Sequence, residues 1–189
     1  MKRWLALSRG IDGFSQRLGR ATSWLALAMV LMGAFNALAR YGSRFTGVSL
    51  SSNAFIEAQW YMFSALFLLA AGYTLQRNEH VRVDVLYGRV SPKTQAWINL
   101  VGTILFLIPF CILMILVCTP AVISSWSIWE QSPDPGGLPR YPIKTLVPLA
   151  FVLLILQAFS ELIKNLGKIR GHLPLEDDDP SASASSETP

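Results

Sequence analysis

The chain has 189 residues, of which 52% are hydrophobic and 15% are charged, and its formal net charge is +4. Soluble domains carry about 25% charged residues, so this composition excludes an ordinary soluble protein. A helix that crosses the hydrocarbon core of a membrane needs about 20 apolar residues. The sequence therefore predicts an all-α membrane protein with four transmembrane helices and interfacial amphipathic segments. Four stretches lack Asp, Glu, Lys and Arg: 21–39, 58–76, 94–129 and 145–160.

Residues 1–20 are predicted to form a basic amphipathic segment on the cytoplasmic face of the membrane. Its apolar residues recur at helical spacing between arginines, which suits an anionic lipid surface: Leu7, Ile11, Phe14 and Leu18. The following apolar stretch also has features of a cleaved signal peptide, since a basic lead precedes it and "ALA" stands at 37–39. Because the lead is long and the stretch has full spanning length, we favour a retained first span over 21–40.

The second span is predicted over 55–76, and the polar segment "NEHVRVDVLYGRVSP" (78–92) separates it from the third. Ser91 has the residue type of a helix N-cap and Pro92 suits the first position of a helix. A helix is therefore expected to begin at this point.

The uncharged stretch that follows is too long for one crossing, because it would give about 54 Å of helix. Pro120 is a natural place for the span to end, which predicts a third span over 96–119. The segment beyond it carries Trp126 and Trp129 on one helical face. It is either an interfacial turn or the protruding end of the same span.

The fourth span is predicted over 145–166, which completes a transmembrane domain of residues 21–167. The remaining residues, 168–189, end in the sequence "EDDDPSASASSETP". This segment is acidic and then rich in Ser, Ala and Pro, without apolar anchors, so we expect a disordered cytoplasmic tail.

Lys and Arg are distributed unevenly between the two sides of the membrane. Twelve of the 16 lie in the N-terminal segment, in the loop 78–92 with its flanks, and near the C-terminus. The other two loops hold only four: Arg40, Arg44, Arg140 and Lys144. Because basic residues accumulate on the cytoplasmic side, both termini are predicted to be cytoplasmic.

The predicted spans lack the residues that a carrier or an enzyme would need. No ionisable residue stands at the middle of a span, whereas a protein that transports a polar solute alone usually has charges at depth. A stand-alone transporter or channel is therefore the less favoured alternative. His80 and His172 are the only histidines and lie outside the spans, which excludes haem within the bundle. Cys111 and Cys118 are too far apart for an intrahelical disulfide and are expected to be packing residues.

The loop 78–92 is an unpromising catalytic site, although it is rich in polar residues. His80, Arg82 and Asp84 would point to one side of an extended segment, but the sequence offers no second metal ligand and no nucleophile beside the histidine. We interpret the loop as a hinge on the cytoplasmic side that contacts lipid headgroups, folds on itself or docks to a partner. No enzyme activity, cofactor or nucleic-acid partner is expected.

Two segments carry a resemblance to a known family. The sequences "EAQWYMFSALFLLAAGYTLQRNEHVRVDVLYGRVSPKTQAWINLVGTILFLIPFC" and "SSWSIWEQSPDPGGLPRYPIKTLVPLAFVLLILQ" resemble the small membrane subunit of tripartite ATP-independent periplasmic (TRAP) transporters, the DctQ family. The resemblance covers about residues 20–167. It implies a bacterial inner-membrane protein that supports a large permease subunit. It also implies a periplasmic binding protein that captures an organic anion, often a carboxylate, and a Na⁺ or H⁺ gradient that drives uptake.

The resemblance also suggests candidate contact residues for these partners. His80, Arg82 and Asp84 fall on the cytoplasmic-loop motif of the family, and Glu57 and Trp60 fall at the outer start of the second span. The segment "SPDPGGLPRYPIK" is longer and richer in Pro and Gly than the common family pattern. It is therefore a candidate contact specific to the subfamily, and it contains Arg140 and Lys144.

Overall fold

The computed structural model describes residues 2–47, 51–78 and 90–174. The described residues form helices joined by short connections. The helices are α1 (Lys2–Thr46), α2 (Asn53–Gln76), α3 (Pro92–Gly102), a wider π-helical turn (Thr103–Leu107), α4 (Ile108–Ser127) and α5 (Tyr141–Ile169).

Four helices of the described chain are long and apolar enough to cross a membrane. The third of them combines α3, the π turn and α4, and the other three are α1, α2 and α5. The predicted all-α class with four spans is therefore confirmed, while the orientation of the termini stays a prediction.

Helix α1 is longer than a single span, with 45 residues and a length of about 68 Å. Residues 2–20 are the first part of this helix rather than a separate element. Gly19 permits close packing with α2, since a Cβ atom there would lie 2.5 Å from the Tyr73 ring. Glycine weakens an isolated helix, but packing against neighbouring helices holds α1 together at this position.

The third span begins where the sequence predicts. The Ser91 hydroxyl accepts a hydrogen bond from the Thr94 amide at 3.4 Å, and Pro92 opens the helix. Helix α4 continues through Pro120 to Ser127. The segment beyond Pro120 is therefore the continuing end of the same helix, which is one of the two alternatives, while the end of the span at residue 119 stays a prediction. Proline lacks the N–H that would bond to the carbonyl four residues earlier, here that of Leu116, and membrane helices tolerate such a missing bond.

Helix α5 is the common neighbour of the other spans and packs against α1, α2 and the third span. Its buried positions are small or polar, as is usual where membrane helices approach closely: Ala150, Gln157, Ala158, Ser160, Asn165 and Gly167. The Phe110 and Phe151 rings, 6.0 Å apart, join α4 to α5.

The bundle has two distinct ends. We call the end formed by residues 51–53 and 128–140 the loop end. The opposite end, where α1 begins and α5 ends, is the terminal end. In the predicted orientation, the loop end is periplasmic and the terminal end is cytoplasmic.

Candidate functional site

The loop end is organised around Glu57, in the second turn of α2. This carboxylate is almost fully buried, with 3% of the residue exposed. It accepts hydrogen bonds from the Ser132 hydroxyl and from the backbone N–H of Leu138. Gly137 makes room for it, since a Cβ atom there would lie 2.6 Å from Glu57 Oε2. Glu57 therefore fastens both halves of the connection between α4 and α5.

Two further side chains of α2 hold the same connection. The Asn53 amide donates to the carbonyl of Pro135 at 3.0 Å, and the Tyr61 hydroxyl donates to that of Pro139 at 2.7 Å. The Pro/Gly-rich segment is thus a folded strap across the start of α2. We call residues 130–140 the strap.

A second carboxylate, Glu130, fixes the strap to the start of α5. Glu130 forms an ion pair with Lys144 and accepts a 2.6 Å hydrogen bond from the Ser125 hydroxyl. The hydrogen bond from Lys144 and then that from Ser125 hold the pKa of Glu130 below its ordinary value of 4.5, and the charge of Arg140 acts in the same direction. Glu130 is therefore stabilised as a carboxylate.

Arg140 ends the strap and lies near both carboxylates, Glu57 and Glu130. Its backbone N–H donates to the Glu130 carbonyl at 2.8 Å. Its side-chain Nε is buried and has no hydrogen-bond partner among the described residues. The guanidinium acts on the strap mainly through its charge.

An aromatic cluster flanks the strap along the chain, with Trp126 and Trp129 before it and Tyr141 after it. The Tyr141 ring centroid lies 4.5 Å from that of Trp126 and 5.2 Å from that of Trp129. Trp129 is 61% exposed. Amphipathic rings of this kind lie at the level of lipid headgroups or in protein interfaces, so this cluster is suited to either.

Three of the predicted contact residues meet in this one network: Glu57, Arg140 and Lys144. Trp60 lies beside them on α2, packs edge-on against Tyr61 with centroids 4.3 Å apart and is 38% exposed. The other three candidates fall outside the described residues: His80, Arg82 and Asp84.

Sequence reasoning missed Glu130, although a signal for it exists. It is the first charged residue after the long uncharged stretch, and two basic residues follow within 14 positions. A lone acidic residue at the end of a span, close to cations, could have indicated an ion pair.

Sequence reasoning also missed a polar cluster at the terminal end, where α1 packs against α5. The Ser8 and Ser160 hydroxyl groups are 2.7 Å apart, and the Ser15 hydroxyl donates to Gln157 Oε1 at 2.7 Å. Three of these residues are fully buried or nearly so: Ser8, Gln157 and Ser160. The polar face of the N-terminal segment is therefore bonded to α5.

Asp12 is the centre of this cluster. Its carboxylate accepts hydrogen bonds from Ser160 at 2.7 Å and from Gln157 at 2.8 Å, and it pairs with Lys164 at 3.3 Å. The signal in the sequence is the spacing of Ser8, Asp12 and Ser15, which places three polar side chains on one helical face.

The described residues contain no group of three or more His, Cys, Asp or Glu side chains that could hold a metal ion. Cys111 is buried and Cys118 is half-buried, and both are free thiols. The two polar networks join helices and the strap to one another. Their arrangement favours a structural role, or a docking role at the surface of the strap.

Comparison with protein families places most of the chain in one of them. The family of the DctQ component of tripartite ATP-independent periplasmic transporters matches residues 29–167. Comparisons with curated proteins and with solved structures find no match. The family match covers more than half of the chain and agrees with the resemblance of its spans and loops. The chain therefore belongs to the DctQ family and is a component of a TRAP transporter.

Proposed function

We propose that this protein is the small scaffold subunit of a secondary transporter in the bacterial inner membrane that imports an organic anion, with carboxylates as the substrate class. In this proposal a large permease subunit carries the substrate and a periplasmic binding protein delivers it. The family match supports the class of transporter.

The accessory role is supported by the hydrogen bonds that polar side chains make within the spans. Gln157 bonds to Ser15 and Asp12, Asn36 accepts from Ser51 at 3.0 Å, and the Thr103 hydroxyl donates to a carbonyl of its own helix. Polar side chains that bond to one another or to the backbone of their own helix already have partners and do not line a path for a solute. A neighbouring subunit is therefore expected to supply the path.

The outward faces of the spans suit such a neighbour. Large apolar side chains are exposed along α1 and the third span, where lipid or another membrane protein would cover them. Examples are Trp24, Leu38, Leu105, Phe106 and Leu116.

Each end of the bundle is proposed to contact a different part of the complex. The strap, with Trp60 beside it, is proposed to face the periplasmic binding protein and the outer surface of the large subunit. The loop that contains His80, Arg82 and Asp84 is proposed to dock against the cytoplasmic face of the large subunit.

The test is co-purification of the large subunit with this chain in a mild detergent, together with uptake by the reconstituted complex. Removing one partner of a desolvated ion pair costs about 3–5 kcal/mol. Arg82→Ala and Asp84→Ala should therefore lower the recovery of the large subunit and the uptake in step. His80→Ala should have a milder effect, because a neutral imidazole leaves no unpaired charge.

Lys93→Ala is the matched control, since it removes a charge at the end of the same loop. Normal assembly with lost uptake in Arg82→Ala would indicate a direct role in the transport cycle. Failure of any large multi-span protein to co-purify with the wild-type chain would contradict the proposed function.

A further inference from the structure

A cleft of about 420 Å³ lies at the terminal end, between the first turn of α1, the beginning of the third span and the last turns of α5. Five aliphatic side chains form most of its wall, among them Leu100, Ile104 and Leu166. Trp4 and Arg170 complete the wall. The volume falls within the range of about 300–1,000 Å³ that is typical of ligand sites.

Arg170 is the charged group of this cleft. It follows directly after α5, and its side chain forms no hydrogen bond or ion pair within the part of the chain that the structure describes. Lys164, which lies on α5, is by contrast paired with Asp12 and Glu161. Arg170 is exposed, so its guanidinium can reach an anion at the mouth of the cleft.

The residues that line the cleft suit an amphiphilic ligand better than a small soluble anion. Aliphatic side chains favour a hydrocarbon chain, whereas guanidinium is the group that pairs best with phosphate. Trp4, which is 61% exposed, has the residue type found at headgroup level. A free phosphate or carboxylate would leave the apolar wall uncovered.

We propose that this cleft binds one anionic phospholipid, with an acyl chain against Leu100, Ile104 and Leu166 and the phosphate on Arg170. In the predicted orientation the terminal end faces the cytoplasmic leaflet, where anionic lipids attract basic residues. The proposal concerns this chain alone and does not depend on its role in a transporter.

Native mass spectrometry of the full chain in detergent provides the test. The protein is titrated with phosphatidylglycerol and with phosphatidylcholine that has the same acyl chains. We expect one saturable site that prefers phosphatidylglycerol by roughly fivefold, the gain expected from one basic residue near an anionic headgroup.

Three variants locate the site. Arg170→Gln should abolish the preference while binding of phosphatidylcholine is retained, and Ile104→Trp should weaken both lipids because the indole fills the cleft. Arg17→Gln removes an exposed arginine of α1 that does not line the cleft, so it should preserve the preference.

Persistence of the preference in Arg170→Gln, or its equal loss in Arg17→Gln, would overturn the proposal. Full binding by a folded Ile104→Trp variant would also overturn it, since the acyl chain would then lie elsewhere. Arg170 is exposed, so its substitution should leave the fold intact. The Arg170→Gln variant therefore tests the proposal even if Ile104→Trp is unstable.

Discussion

Glu57 and Glu130 lie at the same end of the bundle but hold different segments. Glu57 binds Ser132 and the Leu138 amide, which lie within the strap, whereas Glu130 joins the strap to Lys144 on α5. A buried carboxylate such as Glu57 requires hydrogen-bond partners, and it finds them in the strap. Glu130 is half-buried, and its partners Ser125 and Lys144 lie on α4 and α5. These two carboxylates, together with Asn53 and Tyr61, hold the conformation of the strap.

Replacing Glu57 with Gln should loosen the strap. The amide keeps the volume of the side chain, but it loses the negative charge and replaces one acceptor oxygen with a donor that faces the Leu138 N–H or the Ser132 hydroxyl. Hydrogen exchange measured by mass spectrometry should then show roughly tenfold faster exchange in peptides that contain Leu138. Asp134→Asn is the matched control, since it makes the same change at an exposed position of the strap. Unchanged exchange in Glu57→Gln would mean that the other bonds suffice.

Glu130 gives the loop end a dependence on pH. The pKa of this carboxyl is held below 4.5 by its hydrogen bonds from Lys144 and Ser125 in the folded state. A depressed pKa contributes stability above the unfolded pKa, and this contribution is lost as the pH falls through the folded pKa. Thermal unfolding should therefore favour wild type over Glu130→Gln near neutral pH, and the difference should shrink as the pH falls below 4.5. A difference that is constant with pH would exclude this role for Glu130.

Helix α1 shows how tertiary contacts change the interpretation of a sequence segment. Its apolar residues and arginines suggest a surface helix, but its polar face bonds to α5 through Asp12 and two serines. The helix therefore continues without interruption from residue 2 to residue 46. Residues 2–20 are a packed part of the bundle.

This packing predicts the effect of Asp12→Ala. The variant leaves the buried Ser160 and Gln157 side chains with one acceptor fewer, and a lost buried partner costs about 1–3 kcal/mol. The start of α1 should then separate from α5 more often, and limited trypsin digestion should cut faster after Arg9 and Arg17. Gln16→Ala, at an exposed position of the same helix, should be digested like wild type. Equal digestion of both variants would indicate that α1 is held by the membrane instead.

The sequence predicts elements well where the deciding interactions are local. Stretches without charged residues predict the four spans. The residue types of Ser91 and Pro92 predict where the helix of the third span begins. The sequence leaves two alternatives for the segment beyond Pro120, because a proline either ends a membrane helix or is tolerated within it, depending on its surroundings.

The same distinction applies to the candidate site. The family resemblance singles out Glu57, and the Pro/Gly-rich segment contains Arg140 and Lys144. The partners of Glu57 lie 75 and 81 residues away along the chain, and those of Asp12 are almost twice as far. Pairings at such separations follow from the packing of helices and are invisible to a local pattern.

At the scale of the whole molecule, the uneven distribution of basic residues predicts the orientation. Reporter fusions at Met1, near Arg89 and at Pro189 should all report the cytoplasm, and fusions near Gly47 and Gly136 should report the periplasm. The reason is that 12 of the 16 Lys and Arg residues flank the terminal end or the loop 78–92. A cytoplasmic signal at Gly136 would contradict this orientation.

The most direct measurement of the accessory role is uptake by proteoliposomes under an imposed Na⁺ or H⁺ gradient. Vesicles that contain only this chain should accumulate no organic acid, because the polar groups of its spans are used to join helices. Vesicles that also contain the large subunit, with the binding protein and its substrate added outside, should accumulate the substrate. Accumulation driven by this chain alone would contradict the accessory role and favour a stand-alone transporter.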